Sequence, residues 1–394
     1  MIIDKLLQAA EPASTGVTRR RFVTMSVGGS IGLALMPAVL PAAFAQQAQE
    51  KVPPGQKPTE QPAAFVSIAP DGTTTILCNR MDMGQGIETA LAMVCAEELG
   101  ADWRKVKTGF GNARPNYVDP MMGLHLTGGS NSVKNSYTQY RELGARTKAM
   151  LVSAAARQWN VPAASLTADG GVVKGSGHSA TYGELFDAAM KEPIPEAVTL
   201  KDPKQFKLIG QPTGLTVSRA KSSGQQTYGM DIKLPDMLVA VIAHPPVFGG
   251  QVKSFDAAAA GKVAGVKAVL PVDLDRGGRG VAVVATGYWP AKTGRDALKA
   301  EWDAEGVERV DTAKLLARYR ELAQSGGLPA PGKQFRADVS GIPQAPHRLQ
   351  AEFVFPYLNH AQMEPLACTV DLKLDRCDVY TASQMPGIDT MAIA

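Results

Sequence analysis

Met83-Gly84-Gln85-Gly86 is the stretch that decides the fold, because it opens an Ala-, Met- and Glu-rich run from Ile87 to Leu99 that stops at Gly100. Glycines before and after such a run predict a helix over 87–99. Unpaired N–H groups at a helix start attract anions, and Gln85 adds an amide that both donates and accepts. The loop is neither G-x-G-x-x-G nor a Walker A sequence, so it does not support a nicotinamide or nucleoside-triphosphate site.

A second loop of this kind, Thr127-Gly128-Gly129-Ser130, precedes a long helix that the sequence predicts from about residue 131 to residue 159. Ser130 or Asn131 is positioned to cap that helix, and the loop hydroxyls add polar groups. Either loop alone is more often a plain turn than a binding site, because glycine is frequent in turns of every kind.

A third polar cluster contains His360, Met363 and Glu364 and lies between stretches that alternate like strands. His360 and Glu364 are four residues apart, which fits a metal pair or the rim of an active site. Spacing alone favours a solvated loop, because a metal site would need a third ligand nearby and none is evident.

The rest of the sequence predicts an α+β protein. Strands at 64–68 and 73–78 flank Pro70-Asp71-Gly72, a tight-turn sequence. From about residue 208 the chain changes to short β-rich runs separated by helices. The runs that read as strands are 228–232, 237–243, 266–270, 281–285, 349–355, 367–374 and 377–381, and the helical runs are 289–298 and 312–323.

Composition excludes several classes of protein. With 394 residues, 45% of them hydrophobic, the chain can bury more than one core and is not disordered or fibrous. Its 41 basic and 37 acidic residues nearly balance, so the sequence lacks the basic surface of a nucleic-acid-binding protein. The four cysteines, Cys78, Cys95, Cys368 and Cys377, do not have the spacing of zinc or iron–sulfur ligands, so any such cluster would lie on another chain.

The N-terminus has the order of a twin-arginine export signal. Arg19-Arg20-Arg21 is followed by a weakly apolar, glycine-containing run from Ser26 to Met36 and by the small-x-small sequence Ala43-Phe44-Ala45. We expect cleavage after Ala45. An uncleaved anchor is the alternative, but two prolines interrupt an apolar run that is shorter than the roughly 20 residues a span needs. Clients of this pathway are often folded, cofactor-loaded redox proteins, so a periplasmic redox enzyme is the leading expectation.

Five stretches of the sequence occur in an order that is specific as a set. They are the two glycine loops, then Tyr228-Gly229-Met230-Asp231, Val281-Ala282-Val283-Val284 and the segment from His360 to Pro365. In this order the chain resembles the molybdopterin-binding large subunit of the xanthine oxidase family. The similarity is greatest to the periplasmic branch that includes isoquinoline 1-oxidoreductase β subunits and membrane-bound aldehyde dehydrogenases. Large subunits of this branch are nearly twice as long, and the resemblance places their catalytic glutamate base beyond Ala394.

The resemblance implies a domain order and a set of site residues. Gly84, Gln85, Gly86, Gly128, Gly129, Ser130 and Gln384 would bind the cofactor, and His360, Met363 and Glu364 would line the substrate pocket, with no metal ligand from the protein. The domains would be a signal at 1–45, a linker at 46–63, a molybdopterin-binding portion at 64–205, an α/β hammerhead domain at 206–304, a connector at 305–345 and the incomplete start of a second molybdopterin-binding portion at 346–394.

The resemblance also implies an activity. The whole protein would use a molybdenum–molybdopterin cofactor, in its cytosine dinucleotide form, to oxidise aldehydes to carboxylic acids at the periplasmic face of the inner membrane. Electrons would pass to a small subunit with 2Fe–2S clusters and then to a cytochrome c subunit, and a partner subunit would provide the membrane contact. The alternatives are hydroxylation of an N-heteroaromatic ring, an inactive truncated product, and a pyrroloquinoline-quinone dehydrogenase. The last would need a β-propeller, yet no repeat of 40 to 50 residues is present.

Overall fold

The computed structural model describes residues 57–112, 114–325 and 340–394. The predicted export signal at 1–45, the linker as far as residue 56 and residues 326–339 of the connector lie outside the described residues. The described chain divides into two compact units. The first unit contains the described residues up to Gly229 together with Thr381–Ala394, and the second contains Met230–Tyr380.

Helices are distributed over both units. The α-helices of the described residues are α1 Pro62–Phe65, α2 Ile87–Leu99, α3 Ser132–Trp159, α4 Tyr182–Ala189, α5 Ser218–Ser222, α6 Ala257–Gly261, α7 Tyr288–Asp296, α8 Thr312–Gln324 and α9 Pro386–Ile393. The predicted helices over 87–99, 131–159 and 312–323 are therefore confirmed to within a residue. Gly100, at φ 71°, ends α2 in the left-handed conformation that favours glycine.

Strands are short throughout. The strands of the described residues are β1 Val66–Ile68, β2 Thr74–Cys78, β3 Val106–Phe110, β4 Thr167–Asp169, β5 Val172–Gly175, β6 His178–Thr181, β7 Val239–Ala243, β8 Gln251–Ser254, β9 Val266–Asp273, β10 Arg279–Ala285, β11 Glu301–Asp303, β12 Cys368–Leu372 and β13 Cys377–Thr381. Two predicted strands are wrong. Residues 229–231 form a 3-10 turn, and residues 349–355 form no strand.

A three-stranded sheet, in the order β1-β2-β3, carries the first glycine loop. β1 and β2 are antiparallel, as the predicted hairpin requires, and pair Ser67 with Thr75. β3 lies parallel to β2, with Thr108 opposite Ile76. Parallel neighbours need a crossover connection, which the β2–α2 loop and α2 provide. The loop that precedes α2 therefore lies at the carboxyl end of β2, the edge where open α/β sheets commonly bind ligands.

Helices α2 and α3 pack closely enough to exclude a side chain between them. A Cβ at Gly144 of α3 would lie 2.3 Å from the carbonyl oxygen of Cys95 in α2, so only glycine fits at this crossing. Leu91 and Leu99 of α2 and Leu143 of α3 are completely buried around it. Burial of each such side chain contributes about 1.5–3 kcal/mol, so this contact anchors both loops that feed the two helices.

The second unit has a smaller core. Its main sheet has the order β7-β10-β9, with Val283 of β10 opposite Val241 on one side and Val269 on the other. Val281 and Val283 are completely buried beneath α6 and α7. Shorter pairs are β8 with β11 and β12 with β13. The result is a mixed helix and strand protein, and the hammerhead assignment for 206–304 stays a prediction.

None of the helices in the described part of the chain is both long enough and apolar enough to cross a membrane.

Candidate functional site

Thr127 links the two glycine loops in the first unit. Its Oγ1 accepts a hydrogen bond from the backbone N–H of Met81 (2.7 Å), and its own N–H donates to the carbonyl oxygen of Gln384 (2.7 Å). The side chain of Gln384 returns a bond from Nε2 to the Thr127 carbonyl (3.1 Å). Three segments that are distant in sequence therefore meet, and we call them the loop cluster: residues 79–86, 119–131 and 383–387.

The first loop of the cluster is organised by its own side chains. The Gln85 amide donates to the Met81 carbonyl (2.9 Å) and accepts from the Met83 N–H (2.7 Å), so both of its polar atoms hold the loop. Gly84 and Gly86 have φ values of 103° and 84°. The backbone N–H groups of Gln85, Gly86 and Ile87 donate to no described residue. They remain available to an anion at the start of α2.

The second loop leaves a helix start open in the same way. Gly129 and Ser130 adopt left-handed conformations, at φ 62° and 56°. Asn131 occupies the N-cap position of α3, but its side chain makes no capping hydrogen bond, and Ser130 does not cap the helix either. The N–H groups of Gly128, Gly129 and Ser130 donate to no described residue. This loop therefore presents a further set of donors at the positive end of the long helix α3.

A buried ion pair that sequence reasoning missed supports both loops. Arg80 and Asp119 are 1% and 0% exposed, and their side chains approach to 2.8 Å. Arg80 also donates to the Leu126 carbonyl (3.0 Å) and to Ser136 Oγ, while Asn135 donates to Asp119 (2.9 Å). Buried charges need such partners. Arg80 thereby ties the first loop to the second and to the first turns of α3.

His125 lies in the same cluster with an unusual environment. Its side chain is buried, and neither ring nitrogen has a hydrogen-bond partner among the described residues. Burial, with the positive charge of Arg80 nearby, lowers the pKa of His125 to about 4. The His125 carbonyl accepts a hydrogen bond from Gly387, at the start of α9 (3.2 Å). His125 is thus a neutral imidazole near neutral pH, placed between the second loop and the last helix.

Two carboxylates flank the start of α2. Asp82 accepts hydrogen bonds from the N–H groups of Gly84 (2.8 Å) and Glu88 (3.2 Å). Glu88 is buried in the first turn and accepts from Thr108 Oγ1 on β3 (2.6 Å). Burial raises the pKa of Glu88, the Thr108 bond opposes that shift, and the charge of Asp82 adds to it. The carboxylates hold the loop to the sheet and leave the N–H groups of Gln85 and Gly86 uncovered.

The third predicted group lies in the second unit. His360 and Met363 are exposed, Glu364 is partly exposed, and no helix or strand contains them. They belong to a different compact unit from Gly84, Gln85, Gly86, Gly128, Gly129, Ser130 and Gln384, which are all in the first. Their predicted place in a substrate pocket stays a prediction. The described residues contain no group of three or more His, Cys, Asp or Glu side chains that could hold a metal ion.

The sequence profile of the family described as "Molybdopterin cofactor-binding domain" matches residues 14–232, which are more than half of the chain and include two of the three segments of the loop cluster. This chain belongs to that family of molybdenum hydroxylases. The resemblance carried by the two glycine loops is thereby confirmed. A molybdopterin fits the residues that are present, because two glycine loops offer unpaired N–H donors, and a Cβ at Gly84 or Gly128 would meet nothing within 3.8 Å.

Three curated relatives cover most of this chain. The β subunit of isoquinoline 1-oxidoreductase from Brevundimonas diminuta is 30% identical over an alignment of 360 residues that covers 82% of this chain and 45% of that protein. The membrane-bound aldehyde dehydrogenase (pyrroloquinoline-quinone) of Gluconacetobacter polyoxogenes is 32% identical over an alignment of 339 residues that covers 81% of this chain and 42% of that protein. A nicotinate dehydrogenase subunit from Pseudomonas putida is 25% identical over an alignment of 338 residues that covers 83% of this chain and 27% of that protein.

The chain spans less than half the length of each of these relatives. Among solved structures, quinoline 2-oxidoreductase from Pseudomonas putida 86 is 20% identical and covers 32% of this chain and 16% of its own. The TM-score between the two structures is 0.22.

Proposed function

We propose that this chain is the molybdopterin-binding large-subunit portion of a periplasmic molybdenum hydroxylase that oxidises aldehydes to carboxylic acids. The single observation that carries the proposal is the loop cluster, in which two helix starts with unpaired N–H groups are joined through Thr127. Family membership and the aldehyde dehydrogenase relative support the same proposal.

The role of the chain in this reaction is to bind and orient. The N–H groups of Gln85, Gly86, Gly128 and Gly129 would hold anionic and polar groups of the pterin, and Arg80 would fix the distance between the two loops. When bound, the molybdenum cofactor supplies the two-electron oxidation. Its form would be the cytosine dinucleotide, whose added phosphate suits two adjacent sets of backbone donors.

Hydroxylation of an N-heteroaromatic ring is the second candidate, because two of the three relatives act on such compounds by name, isoquinoline and nicotinate. A pyrroloquinoline-quinone enzyme is the third, because the name of the aldehyde dehydrogenase relative includes that cofactor. The electron acceptors that we propose are a small subunit with 2Fe–2S clusters and a cytochrome c, since the four cysteines of this chain do not have cluster spacing.

Metal and cofactor content test the proposal directly. The full chain, produced in a host that makes molybdopterin, should retain molybdenum and a pterin nucleotide after gel filtration. Gly128→Leu should lower that content, because a Cβ there has only Leu126 Cδ1 near it (3.9 Å) and the new side chain would take up the open space beside the second glycine loop. Gly214→Leu, which meets no atom within 4 Å and lies outside the loop cluster, is the matched control.

The outcomes separate the candidates. Bound quinone without molybdenum would refute the proposal in favour of the third candidate. With molybdenum bound, turnover of the complete complex on benzaldehyde or on isoquinoline distinguishes the first candidate from the second. Replacing Arg19-Arg20 with lysines should stop export, as measured by cell fractionation, if the twin-arginine signal operates.

A further inference from the structure

A shallow depression of about 380 Å³, open to solvent and called here the cavity, lies beside the middle of α3, away from the loop cluster. Its wall is mostly apolar and comes from α3 and from the segment that follows α4. The apolar residues of this wall include Ala145, Ala149, Val152, Pro195 and Val198. The charged residues Glu98, Lys148 and Lys201 also line the cavity, as does Thr199.

Two of the three charges are already matched by partners. Glu98 pairs with Arg141 (2.6 Å) and accepts the backbone N–H of Lys201 (3.0 Å). The ammonium of Lys201 pairs with Glu97 Oε1 (2.7 Å), a carboxylate that is itself fully buried. These pairs fix the segment after α4 against α2. They leave no net charge at the cavity from Glu98 and Lys201.

Lys148 is the unmatched charge. Its ammonium makes no hydrogen bond and no ion pair with any described residue, although the side chain is only partly exposed. Asp169 is the other carboxylate that acts on it, and Asp169 is bound by Lys207 (2.7 Å). Burial and the positive charge of Lys201 lower the pKa of Lys148, which Asp169 and Glu98 only partly offset. A half-buried cation without a counterion favours an anionic ligand.

We propose that this cavity binds a small monocarboxylate with a short apolar chain. The carboxylate would accept from the Lys148 ammonium and the Thr199 hydroxyl, and the apolar chain would lie against Ala145, Ala149 and Val152. A dicarboxylate is disfavoured, because its second charge would meet the apolar wall. The site does not depend on the proposed function, since Lys148 lies 16 residues into α3, about 24 Å from the helix start at the loop cluster.

The test uses three probes on the full chain in calorimetric titrations. Hexanoate has both the charge and the apolar chain, hexan-1-ol has the chain alone, and acetate has the charge alone. Hexanoate should bind at least about tenfold more tightly than either of the others, because only it gains both the charge-assisted hydrogen bond and apolar burial. Hexan-1-ol or acetate binding as tightly as hexanoate would overturn the proposal, as would the absence of hexanoate binding.

Lys148→Met keeps the length of the side chain and removes its charge. It should weaken hexanoate binding by about tenfold or more, since the ion pair with the carboxylate is lost. Lys191→Met is the matched control, because Lys191 is exposed and does not line the cavity. Equal hexanoate affinity in the Lys148→Met variant and the parent would overturn the proposal. Molybdenum content should be unchanged in both variants, which separates this test from that of the proposed function.

A chemical measurement covers the case in which the Lys148→Met variant does not fold. Reductive methylation of the parent chain, read by mass spectrometry, should modify Lys148 less when hexanoate is present. Lys191 should be modified equally with and without hexanoate. Modification of Lys148 at the same rate in both samples would overturn the proposal.

Discussion

The loop cluster of the first unit and the segment around His360 in the second unit differ in what holds them in place. The loop cluster is fixed by buried polar groups, above all Arg80 and Asp119, and by the packed crossing of α2 and α3 at Gly144. The other segment contains exposed residues with no regular structure, and Met363 is 96% exposed. Both were identified in the sequence as polar residues between regular elements.

This difference shows that two polar segments can occupy similar places in the sequence, between regular elements, and yet differ in how firmly buried contacts hold them. A binding loop needs its backbone donors held in place before a ligand arrives, since ordering them later costs binding energy. The loop cluster meets that need within the described residues through Thr127 and Arg80. The segment around His360 has far less buried support, so any part that it plays in a pocket would depend on contacts formed elsewhere.

The largest expected effect comes from breaking the buried ion pair. Asp119→Asn should lower the free energy of unfolding by about 3–5 kcal/mol, because Arg80 would be left buried without its counterion. Urea denaturation of the full chain measures this change. Molybdenum content should fall as well, because Arg80 holds the Leu126 carbonyl and with it the second loop.

An exposed ion pair in the second unit supplies the matched control. Arg320 and Glu352 approach to 2.7 Å, but their side chains are 53% and 62% exposed. Glu352→Gln should therefore leave the urea midpoint almost unchanged. Equal losses from Asp119→Asn and Glu352→Gln would contradict the contrast between the two regions.

His125 should make the first unit sensitive to acid. Its pKa is lowered to about 4 from an ordinary 6.5, so between these values the folded chain binds fewer protons than the unfolded chain. The contribution of His125 to the free energy of unfolding is fully present above pH 6.5. It is lost as the pH falls toward 4, a change of about 3 kcal/mol. Urea unfolding of the parent and of His125→Phe, at matched pH values across this interval, measures it.

The variant isolates the contribution of this histidine. His125→Phe keeps a ring beside Tyr117 and removes the titrating group. Its stability should decline less steeply than that of the parent over the same pH interval. Parallel pH profiles for the parent and the variant would show that burial of His125 does not shift its titration.

Substitution of Gly84 should have a smaller effect on stability, confined to the first loop. At φ 103° any other residue is strained, while a Cβ would meet no atom within 4 Å. Gly84→Ala should thus cost about 1–3 kcal/mol through the backbone alone. Gly261→Ala, in helix α6, also meets no atom within 4 Å and should be neutral or slightly stabilising. Thermal unfolding of both variants is the measurement, and a neutral Gly84→Ala would show that the loop conformation is not required.

The sequence predicted the parts of the site that depend on local patterns. Glycines mark the ends of α2, and the spacing of the two loops was recognisable because each precedes a long helical run. The ion pair of Arg80 with Asp119 was not predictable, because these residues are 39 positions apart and no motif joins them. The prediction of a strand at 349–355 was wrong, because alternation of apolar and polar residues alone does not provide a neighbouring strand with which to pair.

The smallest effect on stability is expected at Met363. Its side chain is almost fully exposed, so Met363→Ala should change the free energy of unfolding by less than about 0.5 kcal/mol. Met150, buried in α3, is the matched position, where the same substitution should cost about 2–5 kcal/mol. If the segment lines a substrate pocket in the active complex, Met363→Ala should raise KM while molybdenum content and stability stay constant. A loss of stability close to that of Met150→Ala would mean instead that this segment is packed as firmly as the core of the first unit, and the contrast between the two regions would fail.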